Sequence, residues 1–409
     1  MELKKPAGQS PQQLSDVSFA ARGRWHTLVL YVVGFWVVVG AGIIIASRFG
    51  APVVWWDLIH PLTLGALTTA ILAYSTHFAE ALTRTATQSY RAVAARVGLV
   101  QVGLLLLLVD RAGYDWGVAA DVASVLVIGA LGWQLVSVGR ALRGSLSGQF
   151  AVTVPYYVAA AGFMIAAVLF AMGAGRGLGE YSNMIAAHSR AMIWGFALLT
   201  IVGTVVTLLP TLTTTRISEV AKARCSRALA AYCVGLAAAC IFYAVGLDQP
   251  AGLAQLLSVL AAGMVLQPVV AGVITGTGAV TGASASVLAG MAWLVAIDAA
   301  DAASALAGVF PRLTTLTLLP AFLGAGLLQM VTGVLSHINP TLRGGGRERV
   351  FAGRRMAGYA WPARALLINL GGLLTLLGAV MPGVIMMGLG LIATLAATVA
   401  SIVLGKKNA

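Results

Sequence analysis

Residues 383–404 read GVIMMGLGLIATLAATVASIVL, twenty-two consecutive positions with no charged side chain and no polar face. A helix of that length spans about 33 Å at 1.5 Å per residue, enough to cross a hydrocarbon core of roughly 30 Å. The same reading, carried back toward the N-terminus, gives further apolar runs at 25–48, 56–82, 88–110, 115–139, 150–174, 183–211, 226–247, 250–275, 284–309, 314–338 and 358–380. Membrane strands would alternate apolar and polar residues over about ten positions, and these runs do not. The sequence therefore predicts an all-α polytopic membrane helix bundle of about twelve transmembrane helices. It divides into a cytoplasmic N-terminal segment 1–24, a transmembrane domain 25–404 and a cytoplasmic tail 405–409.

Composition agrees. Of 409 residues, 59% are hydrophobic and 10% charged, against roughly a quarter charged in soluble domains. The first apolar run follows about two dozen polar residues, is as long as a bilayer is thick, and lacks a small-residue cleavage site, so it reads as a retained helix. A net charge of +13 would suggest nucleic acid in a soluble protein. Here the cations report orientation instead, and no nucleic-acid partner is expected. Lys4, Lys5, Arg22, Arg24, Arg84, Arg91, Arg140, Arg143, Arg216, Lys222, Arg224, Arg227, Arg343, Arg347, Arg349, Arg354, Arg355, Arg364, Lys406 and Lys407 fall at the two termini or after even-numbered helices. The opposite connections carry only Arg48, Arg111, Arg176 and Arg312. Basic loops stay inside, so both termini are expected on the inner face of the cell (cytoplasmic) membrane, with the lipid bilayer as the first partner. The loop from Arg343 to Arg355 could also touch anionic headgroups or an acidic partner.

Glycine is dense across the last two helices, at Gly371, Gly372, Gly378, Gly383, Gly388 and Gly390, which reads as close helix packing and leaves room for a homo-oligomer. Cys233 and Cys240 share a helix face about 10 Å apart, too far to bond, and Cys225 reads as part of a basic turn.

Ionisable residues inside a bilayer are costly and usually face a cavity, a cofactor or one another, so function is sought among them. His60, in Asp57-Leu-Ile-His60-Pro61, starts the second helix, with Asp57 as a cap and Pro61 suited to the first turn. His188 lies two turns into the sixth, and both are expected at the outer level. His77, seventeen residues beyond His60, falls about 25 Å further in, and His337 ends the tenth helix at that inner level. Imidazole ligates haem iron and copper, so an outer pair (His60, His188) and an inner pair (His77, His337) are candidate metal and cofactor ligands. The bland alternative is an interfacial hydrogen bond at each, and that is the reading for His26. Met184, His188 and Met192 form one stripe on the sixth helix, which reads first as packing. Asp298 and Asp301, three apart on the ninth helix, are candidates for a proton relay, for orienting a histidine, or for binding a transported cation. Glu80 could orient His77 or pair with Arg84. Gln101, Gln134, Gln255, Gln267 and Gln329 are expected to hydrogen-bond across helices.

Two stretches carry a family resemblance. His60-Pro-Leu-Thr-Leu-Gly65-Ala, running on to His77 and Arg84, resembles the histidine-led second helix of membrane segments fused to multicopper oxidase or copper nitrite reductase domains in some bacteria. It is also similar to the corresponding helix of NnrS-type haem and copper membrane proteins. His188-Ser-Arg190-Ala-Met-Ile-Trp-Gly195, with Gly203, Pro210 and Arg216, resembles a second motif of the same fused segments. That motif usually opens His-x-His, and here Arg190 stands at its second histidine. Twelve helices with both ends inside is also the plan of haem-copper oxidase subunit I. The His-Pro-Glu, paired-histidine and His-x-His motifs of an oxygen-reducing site are absent, as is a cupredoxin domain.

The resemblance implies haem b, or copper as an alternative, held by His60, His188, His77 and His337. Asp298, Asp301, Glu80 and Arg190 would be supporting or proton-relay residues. The expected function is electron transfer or metal handling, as an oxidoreductase component if the protein is an enzyme, with a cupredoxin or cytochrome as outer-face redox partner. Two other readings compete. A secondary transporter would centre on Asp298, Asp301 and nearby glutamines, although no repeat between the two halves is visible. A non-catalytic subunit of a larger membrane complex would use the histidines only for local hydrogen bonds.

Overall fold

A computed structural model describes residues 19–111, 116–145, 150–343 and 346–404. The orientation signals at Lys4, Lys5, Lys406 and Lys407, and the tail 405–409, lie outside the described residues. Among the described residues every regular element is a helix: α1 (Phe19–Arg48), α2 (Trp55–Thr83), α3 (Tyr90–Arg111), α4 (Val118–Arg143), α5 (Ala151–Gly175), α6 (Tyr181–Thr213) and α7 (Glu219–Ala244). They continue as α8 (Asp248–Thr275), α9 (Gly282–Leu306), α10 (Pro311–Thr341), α11 (Arg347–Ala357), α12 (Trp361–Leu376) and α13 (Val380–Leu404). Eleven of these are long and apolar enough to cross a membrane.

Three expectations need correction. The predicted eleventh span at 358–380 is the shorter helix α12, 16 residues or about 24 Å, cut at Gly378, whose φ of 88° suits glycine alone. The basic loop after α10 is itself the helix α11, with Arg347, Phe351 and Met356 exposed. Cys225 is likewise a buried residue within α7, its carbonyl accepting the Tyr156 hydroxyl at 2.9 Å.

Short connections make successive helices alternate in direction. The C-terminal ends of α2 and α4, the N-terminal end of α7, and α11 therefore share one end of the bundle, where Arg84, Arg140, Arg143, Lys222, Arg224 and Arg347 gather; it is called the basic end below. Three helices are inner ones. In the most apolar stretches of α2, α6 and α10, 61%, 83% and 67% of the residues are buried, against 17–44% in the other eight spans. The same three helices each widen into a π-helical segment, Pro61–Leu67, Ala191–Leu198 and Phe322–Leu328. In α2 the cause is local: Pro61 lies inside the helix, not in its first turn, and has no N–H to give to the preceding turn. In α10 Pro320 has the same effect just ahead of the segment. In α6 the Trp194 carbonyl, inside the widened turn, accepts the Tyr232 hydroxyl at 2.9 Å.

α2 and α6 also end alike. Arg84 and Thr214 both take a left-handed cap, with φ of 55° and 57°, and the flanking hydroxyls of Thr83 and Thr85, and of Thr213 and Thr215, lie 2.9 Å apart. An inner, π-widened helix at every fourth span divides the chain into three units of one plan, a repeat of three where a repeat of two was sought.

Glycine sets the closest packing, as expected of a membrane bundle. A Cβ on Gly371 of α12 would lie 2.6 Å from the Gly383 carbonyl oxygen of α13, and a Cβ on Gly383 would lie 2.6 Å from that of Gly371. Replacing Gly371 by valine is expected to force these helices apart and lower stability by about 1–3 kcal/mol. Gly34→Val, at a position with nothing within 4 Å, should leave the unfolding midpoint in detergent unchanged. A thermal melt of the two variants checks the contrast.

Candidate functional site

α6 opens with Glu180 as N-cap, its carboxylate accepting the Asn183 backbone N–H at 2.9 Å and the Ser182 hydroxyl. These bonds, the Ser182 one first, hold the exposed Glu180 carboxyl below the usual glutamate value. From that fixed start, His188 and Arg190 follow two residues apart. At 100° per residue they point to nearly opposite sides of the helix.

On one side His188 faces α2 and α5. Its Nδ1 bonds the Ala167 carbonyl at 2.8 Å, and its ring lies 6.5 Å from that of His60, centre to centre, with the two planes only 16° apart. His60 Nδ1 in turn bonds the Trp56 carbonyl at 3.0 Å, and the Trp56 indole stacks on the ring at 4.1 Å. A carbonyl can only accept, so Nδ1 carries the proton in both rings and each Nε2 carries a lone pair. The pairing of His60 with His188 is thus present. Met184 packs over Gly173 and Gly179, in keeping with a packing role.

On the other side Arg190 meets Asp301 of α9 through Nε at 3.1 Å and a second nitrogen at 2.5 Å, both side chains buried. Asp301 also accepts the Trp194 indole N–H at 2.9 Å and the Gln255 amide at 3.0 Å. Gln255, on α8, gives the same amide nitrogen to Asp298 at 2.8 Å and accepts the Tyr243 hydroxyl at 3.2 Å. Arg190 reaches Thr315 of α10 at 3.0 Å and sits 4.9 Å from the centre of the Tyr243 ring. Asp298, Asp301 and Arg190 were expected to support a histidine or relay protons, and the two aspartates alternatively to bind a transported cation. They bond one another, and among the described residues none of them bonds a histidine. The cavity beside them, lined by Ser189, Trp194, Thr315 and Phe322 among others, measures about 20 Å³, room for roughly one water.

Toward the basic end the placement differs from expectation. The ring of His77 meets that of His26, edge to face with centres 5.3 Å apart, and among the described residues it makes no ring contact with His337. His337 lies instead near Arg354, whose guanidinium is held below its usual pKa by burial and gives a hydrogen bond to Thr341 at 2.8 Å. Glu80 does not pair with Arg84, which is exposed. Its carboxylate accepts the Gln88 backbone N–H at 2.7 Å and so closes the turn between α2 and α3.

Sequence reasoning missed Arg96. It is wholly buried in α3, and gives hydrogen bonds to Gln134 at 2.6 Å and Gln88 at 2.8 Å. The available signal was its position inside an apolar run, where a cation must find partners, and the amide of Gln134 was the obvious one.

What the residues define is a polytopic helical membrane protein with paired imidazoles on one side of α6 and a buried ion-pair network on the other. No protein-family model matches the sequence, and comparison with curated proteins likewise returns no match.

The network makes a stability prediction. Arg190→Met strands the buried Asp301 carboxylate and is expected to cost about 3–5 kcal/mol, whereas Arg190→Met combined with Asp301→Leu should recover most of the loss. Unfolding midpoints of the single and double variants in detergent test it, and a double variant no better than the single would refute it.

Proposed function

We propose that this protein is an integral protein of the cytoplasmic membrane that holds a metal between His60 and His188 and serves electron transfer or metal handling. The observation that carries the reading is the pair itself: two rings on different helices, 6.5 Å apart at their centres and nearly parallel, each locked by a backbone carbonyl on Nδ1. One metal bonded to both Nε2 atoms at about 2.0–2.1 Å requires ring centres roughly 6 Å apart, and the observed separation of 6.5 Å is compatible with that. A second hydrogen bond that fixes tautomer and orientation is the usual companion of a ligating histidine. Haem b iron and a copper ion both accept paired imidazoles, and the resemblance of the two histidine-led helices to haem and copper membrane proteins supports either.

The basic end faces the cytoplasm by the preference of arginine and lysine for that side, which places His60 and His188 near the outer face. A cupredoxin or cytochrome outside the membrane is then the natural redox partner. The chain's own contribution is to present two neutral nitrogen donors in a setting poor in water. Arg190, turned to the far side of α6, adds no ligand.

The optical spectrum and metal content of the purified protein test this together. Haem gives a Soret band with stoichiometric iron, and a copper site gives copper without that band. His60→Ala and His188→Ala are each expected to lose the metal while retaining a cooperative thermal melt in detergent, lowered by the loss of the metal's stabilisation. Protein that carries neither iron nor copper and takes up neither would reject the reading in favour of a transporter or a non-catalytic subunit.

A further inference from the structure

α1 and α2 lie side by side, and near the basic end they bring His26 and Tyr74, two polar side chains without hydrogen-bond partners among the described residues, together with His77. His26 is 4% exposed, and neither Nδ1 nor Nε2 has a hydrogen-bond partner among the described residues. Its ring is stacked at 5.6 Å on Tyr74, whose buried hydroxyl also lacks a partner. The ring of His77 stands edge-on at 5.3 Å. A buried polar atom without a partner costs about 1–3 kcal/mol, and native proteins keep few of them, so two on one imidazole beside a second imidazole are a marked exception.

We propose that His26 and His77 form a second ligand pair, separate from His60 and His188, that takes a monovalent copper ion. The donor set selects the ion. Among the described residues no third histidine, cysteine or carboxylate joins these rings. Zinc sites are built from at least three protein ligands, and calcium and magnesium require oxygen. Copper accepts imidazole, and its closed-shell monovalent form is content with two donors. A single positive charge is also cheaper to bury than two where no ligand is anionic. Arg22 acts electrostatically on both rings, and it also acts on Glu80, one turn beyond His77.

On α2, His60 and His77 are seventeen residues apart, about 25 Å along the axis, so the second pair puts a copper station near the opposite face from the first. This inference does not rest on the His60–His188 assignment, because a different observation carries it.

The full-length protein in detergent, stripped of metal by a chelator and titrated with copper under ascorbate against a chromophoric Cu(I) chelator, tests it. His26→Ala and His77→Ala are each expected to bind one equivalent fewer than wild type. His26→Met, which supplies a thioether donor, should restore that equivalent, and Tyr74→Phe should keep it. Variants that match the wild-type stoichiometry, or a wild type whose copper is all removed by His60→Ala, would overturn the proposal and leave a water between the rings as the occupant. Loss of an equivalent in His26→Ala with none in His60→Ala or His188→Ala would instead sustain it while rejecting copper at the first pair.

Discussion

The buried ion pair between Arg190 and Asp301 fixes the geometry on which the rest of the bundle's middle depends. Both side chains are buried, so each must find partners within the bundle, and these come from four helices. Trp194 lies on α6 with Arg190, Gln255 on α8, Asp298 and Asp301 on α9, and Thr315 on α10. A shift of any of them by one turn, about 5.4 Å, would leave a charge unpaired in a medium that does not tolerate it. The pair is therefore a device of register more than of net stability.

Register on one side of α6 sets position on the other. Because Arg190 is held, the rotation and depth of α6 are held, and His188 is carried to the level of His60. The π-helical segment that follows, Ala191–Leu198, widens the helix where Phe163 packs against Gly195, and its freed Trp194 carbonyl is taken up by Tyr232. Widened turns cluster at functional places in membrane and soluble helices alike, and here they mark the three innermost helices. In α2 the π segment begins at the residue after His60, and in α6 three residues after His188.

How much of this could be read from the chain alone follows from what each signal depends on. Helix number and class were legible because length and apolarity are properties of one segment at a time; only α11 and the shortened α12 escaped, since an eleven-residue basic helix resembles a loop in composition. The meeting of His60 with His188 was legible as well, because both lie near the start of long even-numbered helices with the same direction. The error at the other level has the same root. His77 and His337 share a depth, but depth does not say which helices are neighbours, and α1 lies beside α2. His26 was set aside as interfacial since it falls in the first turn of its apolar run. The helix in fact begins at Phe19, which places His26 two turns inside and buries it. Arg190 was read through the motif it interrupts, whereas the side of α6 it occupies, and hence its bond to Asp301, follows from the two-residue spacing.

The polar residues inside the bundle fall into two kinds, and the difference bears on where chemistry resides. Around Arg96 and around Arg190, amide, hydroxyl and carboxylate groups are matched so that each guanidinium meets its acceptors, and in the second cluster Asp298 Oδ2 is left without a partner among the described residues. Gln329, wholly buried with neither amide atom bonded, is incomplete, but a single amide is within the means of one water. The imidazole pairs are different. Each sets two rings from separate helices side by side, with centres 6.5 Å and 5.3 Å apart. Arg96 and Arg190 find their acceptors within the protein, whereas neither ring nitrogen of His26 has a partner among the described residues, and an unmet imidazole is a group that a metal ion satisfies.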